Sequence, residues 1–140
     1  MLLLLLLSAC LLDRETVAPS LNEGPEFVFS KYTLGGSPYG SVATPNGIGW
    51  IGQRQNGTMQ RLDVATGSFT GSAPTGGSMP AEMATNANGS RIYVAHFGGK
   101  VTSIDPATLS IVDSYQLTGD ATAIIATPTN DTVVVGTRSR

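Results

Sequence analysis

The stretch Gly89-Ser90-Arg91-Ile92-Tyr93-Val94-Ala95-His96-Phe97-Gly98-Gly99-Lys100-Val101-Thr102-Ser103-Ile104-Asp105-Pro106-Ala107-Thr108 decides how this chain folds. Residues 91–95 and 101–105 are short runs rich in β-branched, aromatic and other apolar side chains, the composition of pleated strands. A Gly-containing connection, Phe97-Gly98-Gly99, separates them. The stretch opens on Asn88-Gly89, a pair that supports the positive φ of two-residue hairpin turns. It closes on Asp105-Pro106-Ala107-Thr108, where Pro106 holds φ near about −65° in a turn.

Outward from this stretch the same signals return with a period of 42 residues. Gly35, Gly77 and Gly119 keep that step, Pro38 matches Pro80, and Asn46-Gly47 matches Asn88-Gly89 in phase with Asn130-Asp131. Gly57 matches Gly99, Asp63 matches Asp105, and Ala65-Thr66 matches Ala107-Thr108. A register held at so many landmarks marks an internal repeat. The second unit predicts strands over residues 81–85, 91–95, 101–105 and 110–117. The third unit stops after its second strand, residues 132–137. Asn46-Gly47 and Asn88-Gly89 are expected as tight connections between strands one and two. The turns at 63–67 and 105–108 then join strands three and four. Four short antiparallel strands repeated every 40 residues or so form the blade of a β-propeller. The expected fold is therefore all-β, with blades at residues 35–76 and 77–118 and a half blade at 119–140.

Within this pattern, residues 89–108 resemble the YVTN family of β-propeller repeats, with its Gly turn, Tyr93-Val94 strand, Gly-containing loop, Val101-x-x-Ile104-Asp105 strand and Ala107-Thr108 turn. The first unit has Trp50-Ile51 in place of Tyr93-Val94, and its Gly47-x-x-Trp50 is closer to the related virginiamycin B lyase-type repeats. The resemblance covers residues 35–140 and implies a fold rather than an activity. Several propellers of these types resemble lactonases, lyases or quinoprotein dehydrogenases.

Composition agrees with a β fold. The 140 residues are one domain's worth, 41% apolar and 13% charged, with 17 Gly, 8 Pro and only 6% aromatics, which describes many short elements and turns. Eight Lys and Arg against ten Asp and Glu leave a net charge of −2, so no basic footprint for nucleic acid is present. The one Cys excludes an intrachain disulfide, and the one His leaves few candidates for a metal cluster or a catalytic pair.

The amino terminus is expected to address the chain to the cell envelope. Six leucines, Leu2 to Leu7, precede Ser8-Ala9-Cys10, too short a run to span a bilayer, which takes about 20 apolar residues. An apolar run ending in small residues is what a signal peptide needs. The tetrad Leu7-Ser8-Ala9-Cys10 resembles the bacterial lipobox, which implies lipidation of Cys10 after removal of residues 1–9. Residues 10–25 are polar and Pro-containing, and are expected to form a tether. The anchor would hold the protein at a membrane, on its periplasmic or outer-surface side.

A propeller ring of four such blades needs about 168 residues, whereas 106 run from Gly35 to Arg140. The chain is therefore expected to be an incomplete ring, about two and a half blades of a larger propeller. The alternative is a small protein that closes its ring from several copies. Residues 26–34, with Phe27, Phe29, Tyr32 and Leu34, are expected to be the outer strand of a preceding blade or the strand that closes the ring. Open blade edges predispose such a chain to self-association.

Candidate chemistry is sparse. Arg54, His96 and Arg138 share one phase of the repeat, in the loop after strand two, and a ring of such groups on one face would hold a small anionic ligand. The alternative is three solvated loop side chains. His96 has the ordinary titration range of a general base, but no convergent acid or nucleophile accompanies it. Trp50, in phase with Ile92, is either a ligand-stacking ring or core packing between blades. Tyr93, Val94, Ile104 and Val133 to Val135 are expected in the core. Asp63 and Asp105 sit where carboxylates bind turn amides rather than a metal. The sequons at Asn56, Asn88 and Asn130 read as turn residues beside a bacterial export signal. No dinucleotide fingerprint, zinc spacing or calcium loop calls for a cofactor. The function expected is ligand or protein binding, or a surface scaffold. The alternative is a fragment of a propeller enzyme whose active site lies in further blades.

Overall fold

The computed structural model of the chain describes residues 31, 33–128 and 132–139. The signal peptide, Cys10, the tether, Asn130-Asp131 and Arg140 lie outside the described residues. Of the predicted outer strand at 26–34, residues 31, 33 and 34 are described, and none of them is in a strand.

Ten strands make up the described fold: β1 (Pro38–Ala43), β2 (Ile48–Gln53), β3 (Thr58–Asp63), β4 (Ser68–Pro74), β5 (Pro80–Thr85), β6 (Ile92–His96), β7 (Lys100–Ile104), β8 (Ile111–Gln116), β9 (Asp120–Ala126) and β10 (Val133–Arg138). They form three antiparallel sheets in sequence order, β1 to β4, β5 to β8, and β9 with β10. Strand β5 lies against β1 on one side and β9 on the other. The inner strands of the second sheet are thus covered on both faces.

Alternation along β6 shows why these residues suit that place. Successive side chains of a strand point to opposite faces, and every residue of β6 is buried. Ile92 and Val94 join Trp50, Met59, Ala73, Met83 and Ile104 in a core between the first and second sheets. Tyr93 and Ala95 join Ala84, Val101, Ala121 and Ile124 in a core between the second and third. The outermost strand of the second sheet, β8, is exposed along its whole length. Val133 and Val135 pack partly against the second core, but Val134 is 56% exposed. The expected run of three core valines is therefore two, because period-2 alternation sends the middle one to the uncovered face of the third sheet.

The turns correct one expectation. The Asn-Gly pairs do lie between strands one and two, yet neither forms a two-residue turn. In the first sheet Gly47 N–H donates to Thr44 O at 3.1 Å and Thr44 N–H to Ile48 O at 2.8 Å. Pro45 then sits at the second position of the turn, where its fixed φ fits, and Gly47 (φ 79°) at the fourth. Neither Asn46 nor Asn88 has a positive φ. In the second sheet Asn86 N–H reaches Arg91 O at 3.3 Å, so this hairpin is one residue longer. The next loop compensates: four residues separate β2 from β3, and three separate β6 from β7. Between the first two sheets the 42-residue phase is therefore intact outside this interval and displaced by one residue within it.

Candidate functional site

The displacement changes which residues correspond. In the strand ladders Pro38 faces Gln53, Pro80 faces His96, and Asp120 faces Arg138. Gln53, not Arg54, is thus the counterpart of His96 and Arg138. By the same register Trp50, which faces Val42 and Arg61, corresponds to Tyr93, which faces Ala84 and Ser103, rather than to Ile92. Trp50 is core, 1% exposed.

His96, expected in a loop, is the last residue of β6 and is 0% exposed. Its Nδ1 lies 3.2 Å from Ser78 O and its Nε2 3.1 Å from Thr102 Oγ1. The Thr102 hydroxyl donates to Thr75 O at 2.6 Å, and the Thr75 hydroxyl donates to Gly57 O at 2.7 Å. Thr102 has one proton, so its oxygen accepts from Nε2–H. A neutral ring then turns the lone pair of Nδ1 toward a carbonyl oxygen, and both contacts are satisfied only in the doubly protonated ring. Burial opposes that charge. Desolvation lowers the His96 pKa below its ordinary value, against the pull of the Ser78 and Thr75 groups, and nearby Lys100 lowers it further. A side chain on Gly77 would strike the ring, with a Cβ 2.7 Å from Nδ1. The network joins the β2–β3 loop, through Gly57, to the second sheet. His96 is therefore a structural tie, closed to a ligand arriving from solvent.

Arg54 begins the loop after β2. Its guanidinium carbon lies 4.6 Å from the Phe97 ring centroid and 5.5 Å from that of Tyr39, and the two rings are 6.2 Å apart. This is cation–π geometry. Beside Arg54 a shallow cleft of about 370 Å³ runs between the β2–β3 loop and the β4–β5 connection, past Gly57, Pro74, Ser78 and Met79. Arg138 is exposed at the end of β10, its Nη2 3.6 Å from Asp120 Oδ2. Asp120 Oδ1 accepts from Gly98 N–H at 2.8 Å. The three predicted residues thus have three different settings. The aromatic partners of Arg54 lie far from it in sequence, and no spacing signal could have joined them to it.

Asp63 and Asp105 behave as their place before a turn predicts. Asp63 Oδ1 accepts from the Ala65 and Thr66 amides, both at 3.0 Å, and Asp105 Oδ1 from Ala107 at 2.8 Å and Thr108 at 3.3 Å. These bonds, led by Thr66 N–H for Asp63 and Ala107 N–H for Asp105, hold both carboxyls below their ordinary range. Among the described residues no group of three or more His, Cys, Asp or Glu is placed to hold a metal ion.

No protein-family model and no curated protein matches this sequence. Solved structures do match. Hydrazine synthase of Kuenenia stuttgartiensis superposes with a TM-score of 0.68 at 17% identity, over 73% of this chain and 29% of that one. The Cps50 (Swd1) beta-propeller domain of Myceliophteria thermophila superposes with a TM-score of 0.62 at 15% identity, over 70% of this chain and 30% of that one. The chain thus spans less than a third of either neighbour. At these identities the likeness speaks for fold alone, and with the sheet order above it makes the four-, four- and two-stranded sheets blades of a β-propeller that do not close a ring.

Proposed function

We propose that this chain is part of an exported, lipid-anchored propeller of the YVTN type that works by binding, through the face on which Arg54 lies. One observation carries the reading: the Arg54 guanidinium, held over two aromatic rings, stands beside the open cleft of the β2–β3 loop. A cation fixed in this way has little side-chain entropy left to lose when it meets an anion. Rigid strands that present variable loops on one face suit the same role. The sealed network around His96, the one histidine of the chain, favours binding over catalysis. Cys10 is the proposed lipid attachment site, and an acidic ligand or acidic protein surface the proposed partner.

Calorimetric titration of the full chain with hexaglutamate tests the binding face. Arg54→Ala should weaken the interaction several-fold, and an absent or unchanged interaction would refute the assignment. Detergent-phase partitioning of the exported protein tests the anchor, since Cys10→Ser should move it to the aqueous phase.

A further inference from the structure

The opposite end of the same two blades holds a second cleft, of about 570 Å³, between the β2–β3 ladder and the turns of the second blade. Its volume is in the range of small-molecule sites. The walls are of two kinds. Ile48, Trp50 and Leu109 are apolar, and Arg61, Arg91 and Asp105 bring two cations against one carboxylate.

Three polar groups on these walls are left wholly or partly unsatisfied by the fold. Trp50 is 1% exposed, yet its indole N–H has no acceptor in the protein. Buried donors are normally paired, so an acceptor belonging to something else would relieve it. Arg61 lies directly across the ladder from Trp50, on the same face of the sheet; among the described residues it makes no hydrogen bond or ion pair, and its charge acts at longer range on Asp63. Arg91 Nη1 donates to Ser90 O at 2.8 Å and lies 4.0 Å from Asp105 Oδ2, which leaves most of the guanidinium's donors open to the cleft.

Leu109 completes the case. Its N–H donates to Asp105 O at 2.8 Å, as Gly67 N–H does to Asp63 O at 2.8 Å in the sister turn. The first blade fills this left-handed position with glycine (φ 70°) and the second with leucine (φ 60°). A leucine held there against its backbone preference places an apolar side chain on the wall of the cleft.

From this geometry we infer that the cleft binds a small organic carboxylate with a short apolar body. The head group would lie between Arg61 and Arg91 and take the indole N–H, with Arg91 exchanging Asp105 for the ligand. The body would lie against the partly exposed Ile48 and Leu109. An inorganic anion would leave those walls wet. The inference is independent of the Arg54 face, which lies at the other end of the strands.

Trp50 is the only tryptophan of the chain, so its emission reports occupancy directly. The full chain is titrated with hexanoate, with hexanol, hexylammonium and inorganic phosphate as controls. A saturable emission change is expected with hexanoate alone. Arg61→Gln should raise its Kd about tenfold, as loss of a charge-assisted bond does. Asp105→Asn, which keeps the oxygen that caps the turn, should lower the Kd by removing the carboxylate charge that competes for Arg91. A response to hexanol or phosphate equal to that to hexanoate, or a Kd unmoved in both variants, would overturn the inference. The Arg54→Ala titration is unaffected by either result.

Discussion

The first two blades follow one plan and differ most where their second strands end. In the second, His96 is tied through Thr102 and Thr75 to the loop of the blade before it. In the first, Gln53 occupies the same register position, 2% exposed, and its Oε1 has no partner. The residue in phase with Thr102 is Gln60, and the one in phase with Thr75 is Thr33, which is exposed. A polar group is tolerated at this position in both blades. In the second blade, packed against the first, that group is a tie.

The largest effect should come from the wide side chains that fill equivalent places in the two cores. Trp50→Ala should cost about 4 kcal/mol and Tyr93→Ala about 3 kcal/mol in urea-induced unfolding. Equal losses would show that the two interfaces are packed alike despite the difference in side-chain size. Next in size is Thr102→Val, which strands His96 Nε2 and Thr75 O and should cost about 2 kcal/mol. Gln60→Val, its counterpart in the first blade, should be close to neutral by the same measurement.

Acid should separate the blades further. His96 has a folded-state pKa below its ordinary 6.5, so as pH falls through that value the unfolded chain takes up a proton that the folded chain resists. Stability present above that pH is then lost progressively on acidification. The urea midpoint should drop between about pH 7.5 and about pH 5 in the parent chain, and the drop should shrink in His96→Gln. The smallest effect is expected for Gln53→Met, which removes the orphaned oxygen at similar volume and should shift stability by no more than about 0.5 kcal/mol, towards gain. A large loss would mean that Gln53 has a polar role that its surroundings do not reveal.

Much of this architecture is legible in the residues. Turn chemistry repeats at fixed intervals, so Asp63, Asp105, Gly57 and Gly99 mark the ends of strands whatever fills the interior. The alternation of Ile92, Tyr93, Val94 and Ala95 shows a strand covered on both faces. What stayed hidden is the one-residue exchange between the hairpin at 86–91 and the loop at 97–99. A residue gained in one turn and lost in the next leaves the outer landmarks of the first two blades in phase and shifts only the strand between them. That cancellation made Arg54 look like the partner of His96. The burial of His96 was hidden for a related reason, since the glycines after it signal a loop while the strand ladder runs on to Pro80. Neither the stacking of Arg54 on Phe97 nor the orphaned indole of Trp50 follows from spacing, because both depend on how one blade lies against the next.

Strand β6, buried at all five positions and flanked by a core on each side, also sets an order of events. Local opening begins where few apolar contacts must break and ends where the most must break together. The amides of β6 should therefore be the last to exchange with deuterated solvent, after those of the one-sided third blade and of the wholly exposed β8. Seen as a clock rather than a scaffold, β6 is the slowest of the described strands, and its neighbours open and close around it.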